Sequence, residues 1–365
     1  MTNLKKISVR QLCFIIIPLF SVCKFYVLPA LVSGVSLEGG WTAVLLSFIF
    51  DFIILLASIF TIKNLEKPLY NSSVEIFGKT LTNITFILYA VYFFLKAFIP
   101  LVEQKNTISL TFYESQPTLL IFMPFFVVAF YIVKRGVTAF ARSVEIIIWL
   151  FLFSMLIIFA LSVPAGSYGA LLPLFNSPRK ILAGSYSILL WFGDPVYLLF
   201  LGSYLKSKEK LYKKTIISYA VAAIITVFLV AVFYSIFSSV SERQYYAPIK
   251  MSKYSITLSN IGRLDYLGSV ILSLVSVYAI CMPLILCYDS INNVFSFKGD
   301  NVIIPFLVVF FEAVLIYFCQ NEIFESIKFV QRYFVPVFIV FAYVLPLVYA
   351  FATLIHKRKK EKLNV

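Results

Sequence analysis

Trp191-Phe192-Gly193-Asp194-Pro195 stands in the middle of an apolar run, residues 183–205, long enough to cross a bilayer. Proline lacks an N–H and clashes with the turn before it, glycine weakens a helix, and a carboxylate lies between them. In lipid such an interruption is tolerated only where the freed backbone groups face protein or a water-filled cavity. A break with an acid in it is a candidate place for a ligand amine or a proton. The plainer reading is a simple proline kink.

The sequence on either side has the same apolar character. Of its 365 residues 61% are hydrophobic and 13% charged, with a mean hydropathy of +0.94. A soluble domain carries about 25% charged residues, and water-soluble packing would leave this much apolar surface exposed. The composition predicts an all-α polytopic membrane protein, with residues 1–365 forming one integral membrane domain. At about 20 apolar residues per crossing, ten spans are expected: 8–34, 41–62, 81–103, 117–134, 143–164, 183–205, 215–239, 264–290, 302–319 and 333–355. The longest polar connection runs from Val240 to Arg263. The first apolar stretch is too long for a cleavable signal peptide, and no small-residue cleavage site follows it.

Basic residues orient the spans. Most of the 31 lysines and arginines fall on alternate connections and in the tail His356-Lys357-Arg358-Lys359-Lys360, which puts both termini in the cytoplasm. The net charge of +14 is then a topology signal, and nucleic acid is not an expected partner. Cys13, Cys23, Cys281, Cys287 and Cys319 lie in or beside apolar segments with no zinc or disulfide spacing. They read as small buried residues. His356, the single histidine, belongs to the basic tail. No Ser/His/Asp, HExxH or phosphate-binding glycine pattern is present, so no enzyme activity, metal or cofactor is expected.

Charges inside the spans carry the functional signal, because each is costly to place there unpaired. At 1.5 Å rise per residue, Lys24 and Lys96 lie about 22–24 Å from the inner face. Asp51, Asp194 and Glu312 lie about 15 Å from the face where their helices begin. All five fall near the bilayer centre, which predicts pairing across a polar interior. Asp51 and Glu312 also read as members of structural ion pairs. On the first span Pro18 and Pro29 bracket Ser21-Val22-Cys23-Lys24, a weaker counterpart of the break at Asp194. Interruptions in the first and sixth of ten helices match a five-plus-five inverted repeat. No residue-level repeat accompanies it. Tyr89 and Tyr92 on the third span read as core or lipid-facing packing, with a cavity wall as the alternative.

Several short motifs resemble one family. The opening Lys6-Ile7-Ser8-Val9-Arg10-Gln11-Leu12 resembles that of the spore-germination permeases, the B subunits of GerA-type germinant receptors. Leu28-Pro29 followed by Gly39-Gly40-Trp41 is similar to the family's signature between the first two helices. So are Gly78-Lys79, Gly136 with Ala141-Arg142 and Glu145, and Gly262-Arg263-Leu264-Asp265. The family resembles the amino acid–polyamine–organocation transporters, whose helices one and six are broken around an amino-acid site.

The resemblance implies a ligand site formed by Ser21, Val22, Cys23, Lys24 and Phe25 together with Trp191, Phe192, Gly193 and Asp194, closed by Pro195. Half-helix N-termini would hold a carboxylate there, and a polar side chain would meet the amine. Relatives usually place glycines at the first break, whereas this chain has Cys23 and Lys24. A lysine there either supplies the positive charge that bound sodium supplies in some relatives or occupies the site itself.

Two functions follow as expectations. One is a receptor subunit in the spore inner membrane that binds a nutrient amino acid and signals to A- and C-type partner subunits. The other is a proton-coupled amino-acid permease using Lys24, Asp51 or Asp194 as proton carrier. A purely structural scaffold would need no charges at the midplane. The topology is checked by cysteine labelling: Ser255→Cys is expected to react with a membrane-impermeant thiol reagent from outside, and labelling only from the cytoplasm would overturn the map.

Overall fold

The computed structural model describes residues 6–112, 118–173, 177–253, 264–297, 301–318 and 333–363. Cys319, Ser255, Gly262 and Arg263 lie outside the described residues. Among those described, the chain is helical with no strand beyond one isolated bridge, Ile7 to Leu205.

The helix order begins with α1 (Val9–Ser21), α2 (Leu28–Ser36), α3 (Gly40–Asn64), α4 (Leu69–Phe77), α5 (Lys79–Phe112) and α6 (Thr118–Ser162). It continues through α7 (Pro178–Ser187), α8 (Val196–Leu201), α9 (Leu211–Phe237), α10 (Ala247–Lys253), α11 (Leu264–Phe295) and α12 (Ile303–Phe318). A last helical run carries a π-turn at Val340–Val344 and ends in α13 (Leu345–Leu363). Six described runs are long and apolar enough to span a bilayer: Leu28–Asn64, Lys79–Ile108, Phe122–Ala165, Leu211–Arg243, Val270–Phe295 and Tyr333–Lys359. A seventh candidate is the pair Pro178–Ser187 and Leu189–Tyr204, bent by 52°. Large side chains such as Ile146, Trp149, Leu156, Ile224 and Phe318 project outward, as a lipid-facing surface requires.

Local sequence explains the element ends. α1 starts on a capping box: the Ser8 hydroxyl accepts the Gln11 N–H at 3.2 Å and the Gln11 side chain accepts the Ser8 N–H at 2.9 Å. Just before it, the Ile7 N–H donates to Tyr204 O at 2.7 Å and the Lys206 N–H donates to Ile7 O at 2.9 Å. The chain end is thus zipped to the segment following α8. Gly136, with φ +73°, interrupts α6 between the expected spans 117–134 and 143–164. Hydroxyls inside the spans (Ser47, Thr61, Ser218, Thr226, Ser276, Ser290) donate to the carbonyl four residues back, which satisfies them without water.

Packing centres on two groups. α11 lies against α5 and α6, while α1 lies against α9 and α6. α2 and α3 hold α7, and close approach there depends on small residues. A Cβ on Gly184 would come within 1.8 Å of Ser36 Oγ. Ser36 donates to Lys180 O at 2.9 Å and Ser185 to Ala43 O at 2.8 Å, which lock the same contact. Tyr89 and Tyr92 belong to the core: both are buried among Phe93, Phe200 and Phe341.

α5 extends past the end expected at residue 103. Glu103-Gln104-Lys105-Asn106 reads as a polar loop, yet it stays helical and buried. Tyr246, just before α10, lies beside Asn106 and Glu103. Neighbouring protein thus takes the place that water was expected to fill.

Candidate functional site

Two helical runs are interrupted, and the interruptions face each other. After Pro18, α1 ends at Ser21, gives one 3₁₀ turn (Val22–Lys24), and resumes as α2 at Leu28 with Pro29 in its first turn. α7 ends at Ser187, passes through a 3₁₀ turn (Leu189–Trp191) into extended backbone at Phe192, and resumes at Val196. Gly193 has φ +80°, a region that side chains disfavour. A Cβ there would come within 2.4 Å of the Ala342 Cβ. Glycine is therefore required twice over, by conformation and by space.

Two charged side chains, Asp51 and Lys96, answer the backbone groups that this break frees, and two more, Lys24 and Asp194, complete the cluster. Both Asp51 oxygens accept the Gly193 N–H at 3.0 Å, and Asp51 also accepts the Tyr343 hydroxyl at 2.7 Å. The Lys96 ammonium donates to Leu190 O at 2.8 Å and to Phe192 O. It also stands 3.4 Å from one Asp194 oxygen. Lys24 donates to the other Asp194 oxygen. The Lys24 ammonium lies 4.9 Å from the Phe192 ring centroid and 5.8 Å from that of Phe48, within cation–π range. Lys24 is 0% exposed and Asp194 5%. Two cations and two anions close a neutral cluster away from solvent.

The remaining first-break residues have mainly packing roles. Val22 is buried, the Ser21 hydroxyl bonds Ile17 O, and Phe25 stacks on Phe151 at 6.3 Å. Cys23 lines a cavity of ≈ 20 Å³ together with Lys96, Trp191, Asp194 and Tyr197. That is space for about one water. On its outer side the Trp191 indole donates to Glu103 at 2.7 Å, and the backbone N–H of Val27 approaches the same carboxylate. The site has little open space in this conformation.

The structure brings Lys24, Lys96, Asp51 and Asp194 together and leaves Glu312 out. Glu312 is fully buried, and among the described residues neither of its oxygens has a hydrogen-bond partner. α12 packs against α6, α11 and α5, so a shared depth did not mean a shared side of the bundle. Sequence reasoning missed Glu103 and Tyr343. Glu103 sat at an expected helix end and was given no role. Tyr343 carried no signal among 23 tyrosines. Among the described residues no group of three or more His, Cys, Asp or Glu is placed to hold a metal ion.

An all-helical bundle with two opposed broken helices is the arrangement of the LeuT fold. The solved structure of MhsT in complex with L-phenylalanine shares this fold, with a TM-score of 0.58 at 15% identity over 94% of this chain and 98% of MhsT. No curated protein matches by sequence. The family model for the spore germination protein permeases matches residues 6–323, and the chain belongs to that family.

The geometry at the break gives one direct expectation. Gly193→Ala should destabilise the protein by about 1–3 kcal/mol, the usual cost of overpacking a filled site. The readout is the melting temperature of the purified protein, and an unchanged value would mean that the 192–194 turn relaxes freely.

Proposed function

We propose that this chain is the ligand-binding membrane subunit of a nutrient germinant receptor, taking an amino-acid-like germinant at the paired breaks of α1/α2 and α7/α8. The observation that carries the reading is the contact between Lys24 and Asp194, which joins the two breaks in a member of the spore germination protein family. MhsT, which shares the fold, was solved with L-phenylalanine bound. A small zwitterion suits a place where one anion and two cations already converge. We read the chain as ten crossings with both termini in the cytoplasm, seated in the spore inner membrane beside A- and C-type subunits.

A second reading, a proton-coupled amino-acid permease, draws on the same buried cluster. Lys24, Asp51, Lys96 and Asp194 are titratable groups held near the midplane, where proton carriers of transporters lie. Uptake of labelled amino acids into proteoliposomes, driven by an inward proton gradient, separates the two. A receptor without transport shows none.

Asp194→Asn keeps the shape and removes the charge. The nutrient response should fall about tenfold or more, the scale of losing one charge-assisted contact of about 1.5–3 kcal/mol. Asp51→Asn should mainly lower protein abundance, because Asp51 caps the Gly193 N–H. A normal response from Asp194→Asn spores at wild-type abundance would reduce Asp194 to a packing residue.

A further inference from the structure

Lys24 and Lys96 flank the same carboxylate, but they are held differently. Lys96 reaches three oxygens: Leu190 O, Phe192 O and one oxygen of Asp194. That satisfies all the donors of an ammonium. Among the described residues, Lys24 has a single hydrogen-bond acceptor, the other Asp194 oxygen, with aromatic faces of Phe192 and Phe48 around it. Lys96 is anchored to the backbone of the break. Lys24 makes its one hydrogen bond, among the described residues, to Asp194, and that ion pair closes the gap between the two broken helices.

We propose that Lys24 is a built-in occupant of the ligand site, and that a germinant enters by inserting into the Lys24–Asp194 ion pair. The inference rests on the reading of the paired breaks as the ligand site and adds which chemistry that site accepts. An inserting α-amino acid places its ammonium on the Asp194 oxygen that Lys24 leaves and its carboxylate on the released Lys24 ammonium. One ion pair becomes two, and every charge keeps a partner. Asp194 never stands alone, because Lys96 stays at its second oxygen.

The exchange excludes close analogues. An amine without a carboxylate displaces Lys24 and leaves its buried ammonium without the carboxylate it was bonded to, which is disfavoured. A carboxylate without an amine captures Lys24 and leaves Asp194 short of one counter-charge. The ≈ 20 Å³ cavity beside Asp194 is too small to receive a ligand while the pair stays closed. Ligand entry and separation of the two breaks are therefore one event, which couples binding to a change in shape.

The test measures thermal stabilisation of the purified full chain by the twenty common L-amino acids, each alongside its decarboxylated amine and its deaminated acid. In the wild type one or more amino acids should stabilise, with the matching amine and acid at least about tenfold weaker. Lys24→Met should invert the order: the amine gains, and the amino acid loses about tenfold because its carboxylate has no partner. Asp194→Asn should shift preference toward the acid. An amine or acid that matches its amino acid on the wild type overturns the insertion model, even if both variants fail to fold.

The outcomes also separate this inference from the reading beneath it. An amino acid that is weakened by Asp194→Asn but untouched by Lys24→Met leaves the site standing and removes the insertion. Amino acids that stabilise both variants as they do the wild type bind elsewhere, and both ideas fall. No stabilisation of the wild type by any amino acid also sinks both.

Discussion

An α-helix broken in the middle of a membrane must find new partners for the N–H and C=O groups it releases, and the fold is organised around meeting that demand. At the 188–196 interruption the partners are charged side chains from two other helices. Asp51 on α3 takes the Gly193 N–H, and Lys96 on α5 takes the Leu190 and Phe192 carbonyls. An anion on a freed donor and a cation on freed acceptors are each stronger than neutral hydrogen bonds. Each charge is in turn affordable only because the others are present. Removing Asp51 or Lys96 strands a backbone group of the break, and removing Lys24 or Asp194 strands a charge, so the members of the cluster depend on one another.

The same arrangement bears on how a family of permease-like proteins can sense a nutrient. The Lys24–Asp194 ion pair draws the break of α1/α2 onto that of α7/α8. The Trp191–Glu103 hydrogen bond connects the inner turn to α5, while Ala247 N–H donates to Tyr26 O at 3.1 Å and connects the first break to α10. The two breaks are thus tied to α5 and α10 by specific hydrogen bonds. These contacts give receptor and permease readings the same structural starting point.

Much of this was legible in the sequence, for identifiable reasons. Pro195 beside Gly193 and Asp194 marks a break because helix chemistry leaves few other outcomes, and Lys24 and Lys96 stand out because lipid tolerates so few charges. Depth along a helix is fixed by residue count, which put Lys24, Lys96, Asp51 and Asp194 at one level. Direction around the helix is not, and Glu312 shows the difference: its level matched and its side of the bundle did not. Glu103 was hidden because a polar run at a helix end looks the same whether water or protein covers it. Tyr343 was hidden because one hydroxyl in an aromatic-rich chain has no distinguishing neighbour. Both needed tertiary contacts to become visible.

Lys96 brings a last consequence. Its ammonium lies among two carbonyls and a carboxylate, an oxygen shell of the kind that monovalent metal ions seek. Here the positive charge is covalently tethered to α5 and cannot be diluted, chelated or washed out. The broken helix thus has its cation supplied by the chain itself at this position.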